Sequence, residues 1–253
     1  MKPEIIVSAD RESTGAAAAD QVAFLAAQAF SVRGIFTMAL SGGSLVEMIA
    51  PGLLEYSRKS AIKWPAWNVF WADERCVPLT SPDSNYGLAQ QHLFRHVPLL
   101  ETNIYALEEE RGSEGAAEEY ERFLHAFFAP PPGRFPRFDL ILLGMGEDGH
   151  TASLFPGHSA LDETRRWVVP LSDSPKPPPG RVTLTLPVIN HARNVIFVTA
   201  GAGKAPALAK VLCPGPRGKG LPAQRVFPID GNLQWFVDAD AAEQLEGPVH
   251  ECL

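Results

Sequence analysis

Cysteine is scarce in this chain of 253 residues. Its three cysteines, Cys76, Cys213 and Cys252, have no Cys-x-x-Cys spacing and cannot all pair with one another. That excludes a disulfide framework and makes a reduced, intracellular setting the expectation. Long apolar runs are missing as well, and none approaches the roughly 18 residues of a membrane-spanning helix. The stretch from Met1 to Asp10 lacks a cationic segment followed by a long apolar one, so a soluble, cytoplasmic protein with no membrane partner is expected. Positive charge is in deficit, with 22 Lys and Arg against 29 Asp and Glu, a formal net charge of −7. Polyanion-binding surfaces need clustered Lys and Arg, so nucleic acid is not an expected partner. There is no Gly-Lys-Ser phosphate loop and no G-x-S-x-G nucleophile elbow. No His, Cys and carboxylate set has metal-ligand spacing, so neither metal nor cofactor is expected.

What is present is an ordinary globular composition, 45% hydrophobic and 20% charged. Short apolar runs read as strands at Ile5 to Ala9, Ile35 to Leu40, Asn68 to Ala72, Phe138 to Leu143, Trp167 to Leu171, Arg181 to Leu186, Asn194 to Ala200 and Trp235 to Val237, with a weak one at Asn103 to Leu107. Helical spacing marks Asp10 to Phe30, Leu45 to Tyr56 with Ser44 as its cap, Tyr86 to Phe94, Gly115 to Phe128, Pro187 to His191, Ala205 to Leu212 and Ala239 to Leu245. In the fourth of these, Tyr120, Phe123, Leu124 and Phe127 form an aromatic stripe that reads as core. Arg217 and Lys219 fall in a loop. Alternating strands and helices imply an α/β fold, a Rossmann-like three-layer sandwich whose mostly parallel sheet is covered by helices on both faces.

The densest chemistry follows the run Phe138 to Leu143. Gly144, Gly146 and Gly149 permit tight turns, and Glu147, Asp148 and His150 place three titratable groups at a strand's carboxyl end, where open α/β sheets bind ligands. The glycines also fit the dinucleotide pattern G-x-G-x-x-G. That pattern needs a full helix after the third glycine, and Pro156 and Gly157 interrupt one here.

Three other strands end in comparable loops. Ser41-Gly42-Gly43-Ser44 combines a bendable backbone, hydroxyl donors and a helix start, which suits a phosphate. Asp73-Glu74-Arg75 ends the third strand with charges that are costly when buried unless paired or used. They read either as a mutual ion pair or as Arg75 for an anionic substrate with Asp73 or Glu74 orienting it. Lys204 follows Gly201-Ala202-Gly203 at a strand-to-helix junction. A loop from Asp173 to Gly180, stiffened by Pro175, Pro177, Pro178 and Pro179, could rim a site. Parallel strands would gather the four loops at one sheet edge as a site for a phosphorylated small molecule.

These residues resemble the glucosamine-6-phosphate isomerase/6-phosphogluconolactonase family, on its lactonase side. The matching segments are Leu40 to Ser44, Trp71 to Arg75, Ser84-Asn85-Tyr86-Gly87, Phe138 to Pro156, and Arg181 through Lys204. They cover most of the chain, and Gly-Met-Gly-Glu-Asp-Gly-His-Thr-Ala-Ser-Leu-Phe-Pro is specific. The resemblance implies one domain over 1–253 that hydrolyses 6-phosphoglucono-1,5-lactone without a metal. It makes His150 the general base, with Asp148, rather than Glu147, beside it. Ser41, Gly42, Gly43, Ser44, Asp73, Arg75 and Lys204 would hold the sugar phosphate, with Arg181 a weaker candidate. The backbone around Gly146 would serve the oxyanion. A small phosphorylated sugar lactone is the implied partner, and a monomer is expected. The deaminase side of the family carries Asp-Glu-Tyr on the third strand and Asn-Glu after Asp-Gly-His. Here Arg75 and Ser153-Leu154-Phe155 occupy those places.

Overall fold

The computed structural model describes residues 2–107, 112–212 and 220–245. The chain opens with β1 (Glu4–Ser8), α1 (Arg11–Arg33), β2 (Phe36–Leu40) and α2 (Ser44–Arg58). Then come β3 (Trp67–Trp71), β4 (Asp73–Arg75), α3 (Asn85–His92), α4 (Gly112–Phe128) and β5 (Leu140–Leu143). It closes with β6 (Val168–Leu171), β7 (Arg181–Leu184), α5 (Leu186–Ile189), β8 (Asn194–Thr199), α6 (Ala205–Leu212) and β9 (Asn232–Asp238).

Six strands form one parallel sheet in the order β1-β9-β8-β5-β2-β3, flanked by helices. Every residue of β2 and β5 is buried, as expected of central parallel strands, and so is every residue of β3 at the sheet edge. Side chains such as Phe36, Met38, Phe70 and Trp71 each contribute roughly 1.5–3 kcal/mol by leaving water. Helix α1 starts at a capping box, in which the Asp10 carboxylate accepts from the Ser13 N–H and the Asp10 N–H donates to Ser13 Oγ. Its Ala18, Val22, Leu25, Ala26 and Ala29 are buried.

From β2 the chain moves outward to β3, then returns to place β5 on the other side of β2. The carboxyl ends of β2 and β5 part at this reversal, where α/β sheets open a crevice. Ser41 follows one strand and Gly144 the other.

Several expectations are corrected. The strands expected at 167–171 and 181–186 do not extend the parallel sheet, and 73–75, expected as a loop, is itself a strand. They build a separate antiparallel sheet, β4-β7-β6. The chain turns out of the main sheet at Ala72 because Asp73 and Glu74 take their partners outside it. Asn103 to Leu107 makes one bridge, Ile104 to Val69, and no strand. Ala239 to Leu245 is a series of turns: one bond of helical spacing, Ala242 N–H to the Asp238 carbonyl, gives way to the tighter bonds Glu243 to Asp240 and Leu245 to Ala242. The helix expected over Tyr86 to Phe94 splits into α3 and a 3₁₀ turn at Phe94–His96. Phe123 of the aromatic stripe is exposed, while Tyr120 and Leu124 are buried. Cys213, Arg217, Lys219 and Cys252 lie outside the described residues.

Candidate active site

Helix α2 begins without the cap expected of Ser44. Gly43 holds the capping position at φ 74°, a left-handed conformation that favours glycine, and no side chain caps the helix. Ser44 is instead the first helical residue. The Val46 N–H turns back to the Gly43 carbonyl, the N–H groups ahead of it have no side-chain cap, and the helix dipole adds positive potential there.

The carboxylate of Asp73 is buried between the loops. It accepts from Ser41 Oγ at 2.6 Å and Ser153 Oγ at 2.7 Å, and the Asp73 carbonyl accepts from Asn85 Nδ2 at 2.7 Å. Glu74 turns the other way and anchors α3. It accepts from the backbone N–H groups of Arg75, Asn85 and Tyr86 and from Ser84 Oγ, which in turn caps α3. Burial pushes the Glu74 carboxyl up to about 7, against the three backbone N–H groups that favour its charged form. Neither acid is bonded to the Arg75 guanidinium, which donates to the Asp83 carbonyl. Arg75 instead faces Arg181 across the β4–β7 ladder. Like charges opposed in this way are unfavourable alone, and a bound anion would relieve them.

Beyond β5, the turn from Gly144 to His150 is closed by the Gly149 N–H to the Gly146 carbonyl and the Gly146 N–H to the His150 carbonyl. His150 Nδ1 lies 2.5 Å from Asp148 Oδ1. The imidazole folds over Gly146, where any β-carbon would collide with the ring and with Asp148, so only glycine fits. Its other side rests against the Phe155 ring, centroids 4.7 Å apart. Burial, the largest influence, lowers the His150 pKa; Asp148 opposes this and Lys176 adds to it. Burial raises Asp148, but the hydrogen bond and charge of His150 outweigh that, with Lys176, and hold the carboxyl below its ordinary range. Glu147 lies against Gly203 and not against His150.

On the facing side Lys204 is half-buried, its pKa lowered by burial and supported by Glu147. The Gly201 N–H donates to both oxygens of buried Asp238, which ties this loop to the end of β9.

One cleft of about 220 Å³ joins these parts. Ser41, Gly42, Gly43, Ser44, Asp73, Arg75, Gly146, His150, Arg181 and Lys204 all line it, and Asp148 stands behind His150. Arg181 is nonetheless largely engaged. It donates to the carbonyls of Lys176, Pro177 and Pro178 and to Ser153 Oγ. Among the described residues no group of three or more His, Cys, Asp or Glu side chains could hold a metal ion. No described helix is long and apolar enough to cross a membrane.

Three residues escaped the sequence reading. Asn85 and Ser153 are ordinary polar side chains until the fold brings them to Asp73. Lys176 lines the cleft beside His150, and its signal was available as the one cation in a proline loop expected to rim a site.

The profile of the family described as glucosamine-6-phosphate isomerases/6-phosphogluconolactonase matches residues 9–235. The chain belongs to this family. Human 6-phosphogluconolactonase is 44% identical over 249 residues, covering 96% of this chain and 94% of the human protein. A probable chloroplastic 6-phosphogluconolactonase of rice is 41% identical over 251 residues, covering 96% of this chain and 77% of its own. Among solved structures, 6-phosphogluconolactonase from Trypanosoma cruzi superposes with a TM-score of 0.83 at 29% identity, covering 97% of this chain and 98% of that one. A monomeric glucosamine-6-phosphate deaminase, at 18% identity and a TM-score of 0.75, shares the fold. Family membership thus agrees with a Rossmann-like α/β architecture, and the antiparallel three-stranded sheet is an addition to it.

Proposed function

We propose that this protein hydrolyses 6-phosphoglucono-1,5-lactone to 6-phosphogluconate, the lactone-opening step of the oxidative pentose phosphate pathway. The observation that carries the reading is the 2.5 Å contact between His150 Nδ1 and Asp148 in a cleft that also holds the uncapped start of α2. The family's 6-phosphogluconolactonase members support it.

In this reading His150 donates its Nδ1–H to Asp148, which leaves Nε2 as the basic nitrogen. A water attacks the lactone carbonyl carbon while Nε2 takes one of its protons. The tetrahedral oxyanion that forms is met by backbone N–H groups of the glycine turn other than those of Gly146, Gly149 and His150, which already have partners. Its collapse breaks the bond from the carbonyl carbon to the ring oxygen, and the imidazolium returns the proton to that departing oxygen. The carboxylic acid then ionises. A positioned base of this kind contributes about 10² to 10⁴-fold. The substrate phosphate sits at the N-terminus of α2 with the Ser41–Ser44 loop, Arg75 and Lys204, and Arg181 serves mainly behind it.

Three cysteines without Cys-x-x-Cys spacing support a reduced, cytoplasmic setting. The deciding experiment offers the purified protein the lactone made by glucose-6-phosphate dehydrogenase and follows acid release against the spontaneous rate. Release no faster than spontaneous would overturn the reading.

A further inference from the structure

Lys176 sits where neither the phosphate loop nor the base motif accounts for it. Its Nζ lies 3.3 Å from His150 Nδ1 and 3.5 Å from Asp148 Oδ1, and it lines the same cleft. Since Nδ1 and Oδ1 already share a proton, the ammonium's favourable contact is with the Asp148 oxygen. A half-exposed lysine on a surface loop normally gains little from such a contact, because holding its long side chain in place costs rotamer freedom. Here the loop is held rigid. Arg181, itself buried, donates through Nη2 to the carbonyls of Lys176 and Pro177 and through Nε to that of Pro178, at 3.0–3.1 Å. Ser174 Oγ also donates to the Lys176 carbonyl and accepts its N–H. The flanking prolines restrict the backbone further.

We propose that Lys176 is a positioning residue for the Asp148–His150 pair: its ammonium, carried on the proline loop that Arg181 fixes, holds Asp148 Oδ1 toward the imidazole and balances its charge. The proposal rests on the lactonase reading for its catalytic meaning but not for its geometry. The charged groups facing His150 are Asp148 on its own turn, Lys176 on the proline loop and Asp73 on β4. Arg181 stands beyond the Phe155 ring, 5.7 Å from its centroid, and Arg75 and Lys204 line other walls of the cleft. Of the three nearest, Lys176 alone disfavours the imidazolium. With it in place the base stays neutral to lower pH, even as a substrate phosphate brings negative charge into the cleft.

The test titrates His150 by NMR in the full-length ligand-free protein and measures lactone hydrolysis from pH 5.5 to 8.5. Wild type is compared with Lys176→Met and Lys176→Arg, each checked for an unchanged thermal unfolding midpoint. Lys176→Met is expected to raise the His150 midpoint by about one pH unit and to move the acid limb of kcat/KM upward equally. At pH values below that limb its rate falls about tenfold, while KM changes less than about threefold. Lys176→Arg restores both. An unmoved His150 midpoint in Lys176→Met overturns the proposal. So does a raised KM with an unmoved pH profile, which would make Lys176 a phosphate ligand. A wild-type protein without lactone hydrolysis would sink the functional reading alone, since the NMR midpoint still decides the role of Lys176.

Discussion

Ser41 and Ser153 donate to opposite oxygens of one buried carboxylate, Asp73, at 2.6 and 2.7 Å. The phosphate-loop side of the cleft and the base side are thereby joined through a single acid, and Arg181 extends the chain by donating to Ser153 Oγ. Replacing Asp73 by Ala leaves two buried hydroxyls without their acceptor. We expect a loss of about 1–3 kcal/mol in urea unfolding and a rise of at least about tenfold in KM. Wild-type stability with wild-type KM would show that the two loops hold themselves.

Removal of the base should separate chemistry from binding. His150→Ala is expected to lower kcat by at least about 10²-fold while titration calorimetry still detects 6-phosphogluconate. Turnover near wild type, after subtraction of spontaneous hydrolysis, would remove His150 from the mechanism.

The acid limb of the pH profile follows from burial. A lowered imidazole pKa keeps His150 neutral, and so basic, to pH values below the ordinary midpoint of 6.5. The limb of kcat/KM is therefore expected below pH 6.5, and activity falls as His150 is protonated beneath it. A limb at pH 7 or above would mean that Asp148 outweighs burial.

Arg75 and Lys204 line the cleft, and in the proposed function they bind the phosphate and do not react. Arg75→Ala or Lys204→Ala should raise KM by about tenfold or more with a smaller change in kcat, and inorganic phosphate should inhibit each variant less than wild type. Unchanged KM in both would move the phosphate elsewhere in the cleft.

Gly146 tests the fit beneath the imidazole. Gly146→Ala puts a methyl where the ring and Asp148 already lie. We expect a fold-retaining protein with kcat reduced by about tenfold or more, since small displacements of a reacting group are costly. Normal kcat would mean that the ring relocates freely.

Much of this site was legible because its chemistry follows buried strands. Leu40 to Ser44 and Leu143 to His150 change from apolar to glycine and polar within one residue, and parallel pairing then brings the two ends together. Asp148 beside His150 was legible through the family resemblance, and the two-residue separation in a glycine turn is what keeps the side chains close. What could not be read depends on long-range pairing. An alternating segment such as Arg181 to Leu184 looks the same in either sheet, and only its pairing with Asp73 to Arg75 assigns it. Ser44 looked like a cap because serine usually caps, yet Gly43 takes the position through a positive φ. Lys176 is informative only once Arg181 is known to grip its loop. The turns at 239–245 replace a helix although Asp238 accepts the Ala241 N–H as a cap would, because the bonds that follow tighten to three-residue spacing.

The bare start of α2 has a consequence for the protein without its ligand. A helix whose first turn ends at Gly43, with no side chain on its leading N–H groups, is left incomplete by its own sequence. An anion settling there does what a serine or aspartate cap does in other helices, so occupancy and the firmness of α2 are linked quantities. A Ser or Asp built in to finish the helix would compete with the phosphate for the same N–H groups. With the phosphate bound as proposed, part of the stability of α2 is held in reserve for the substrate.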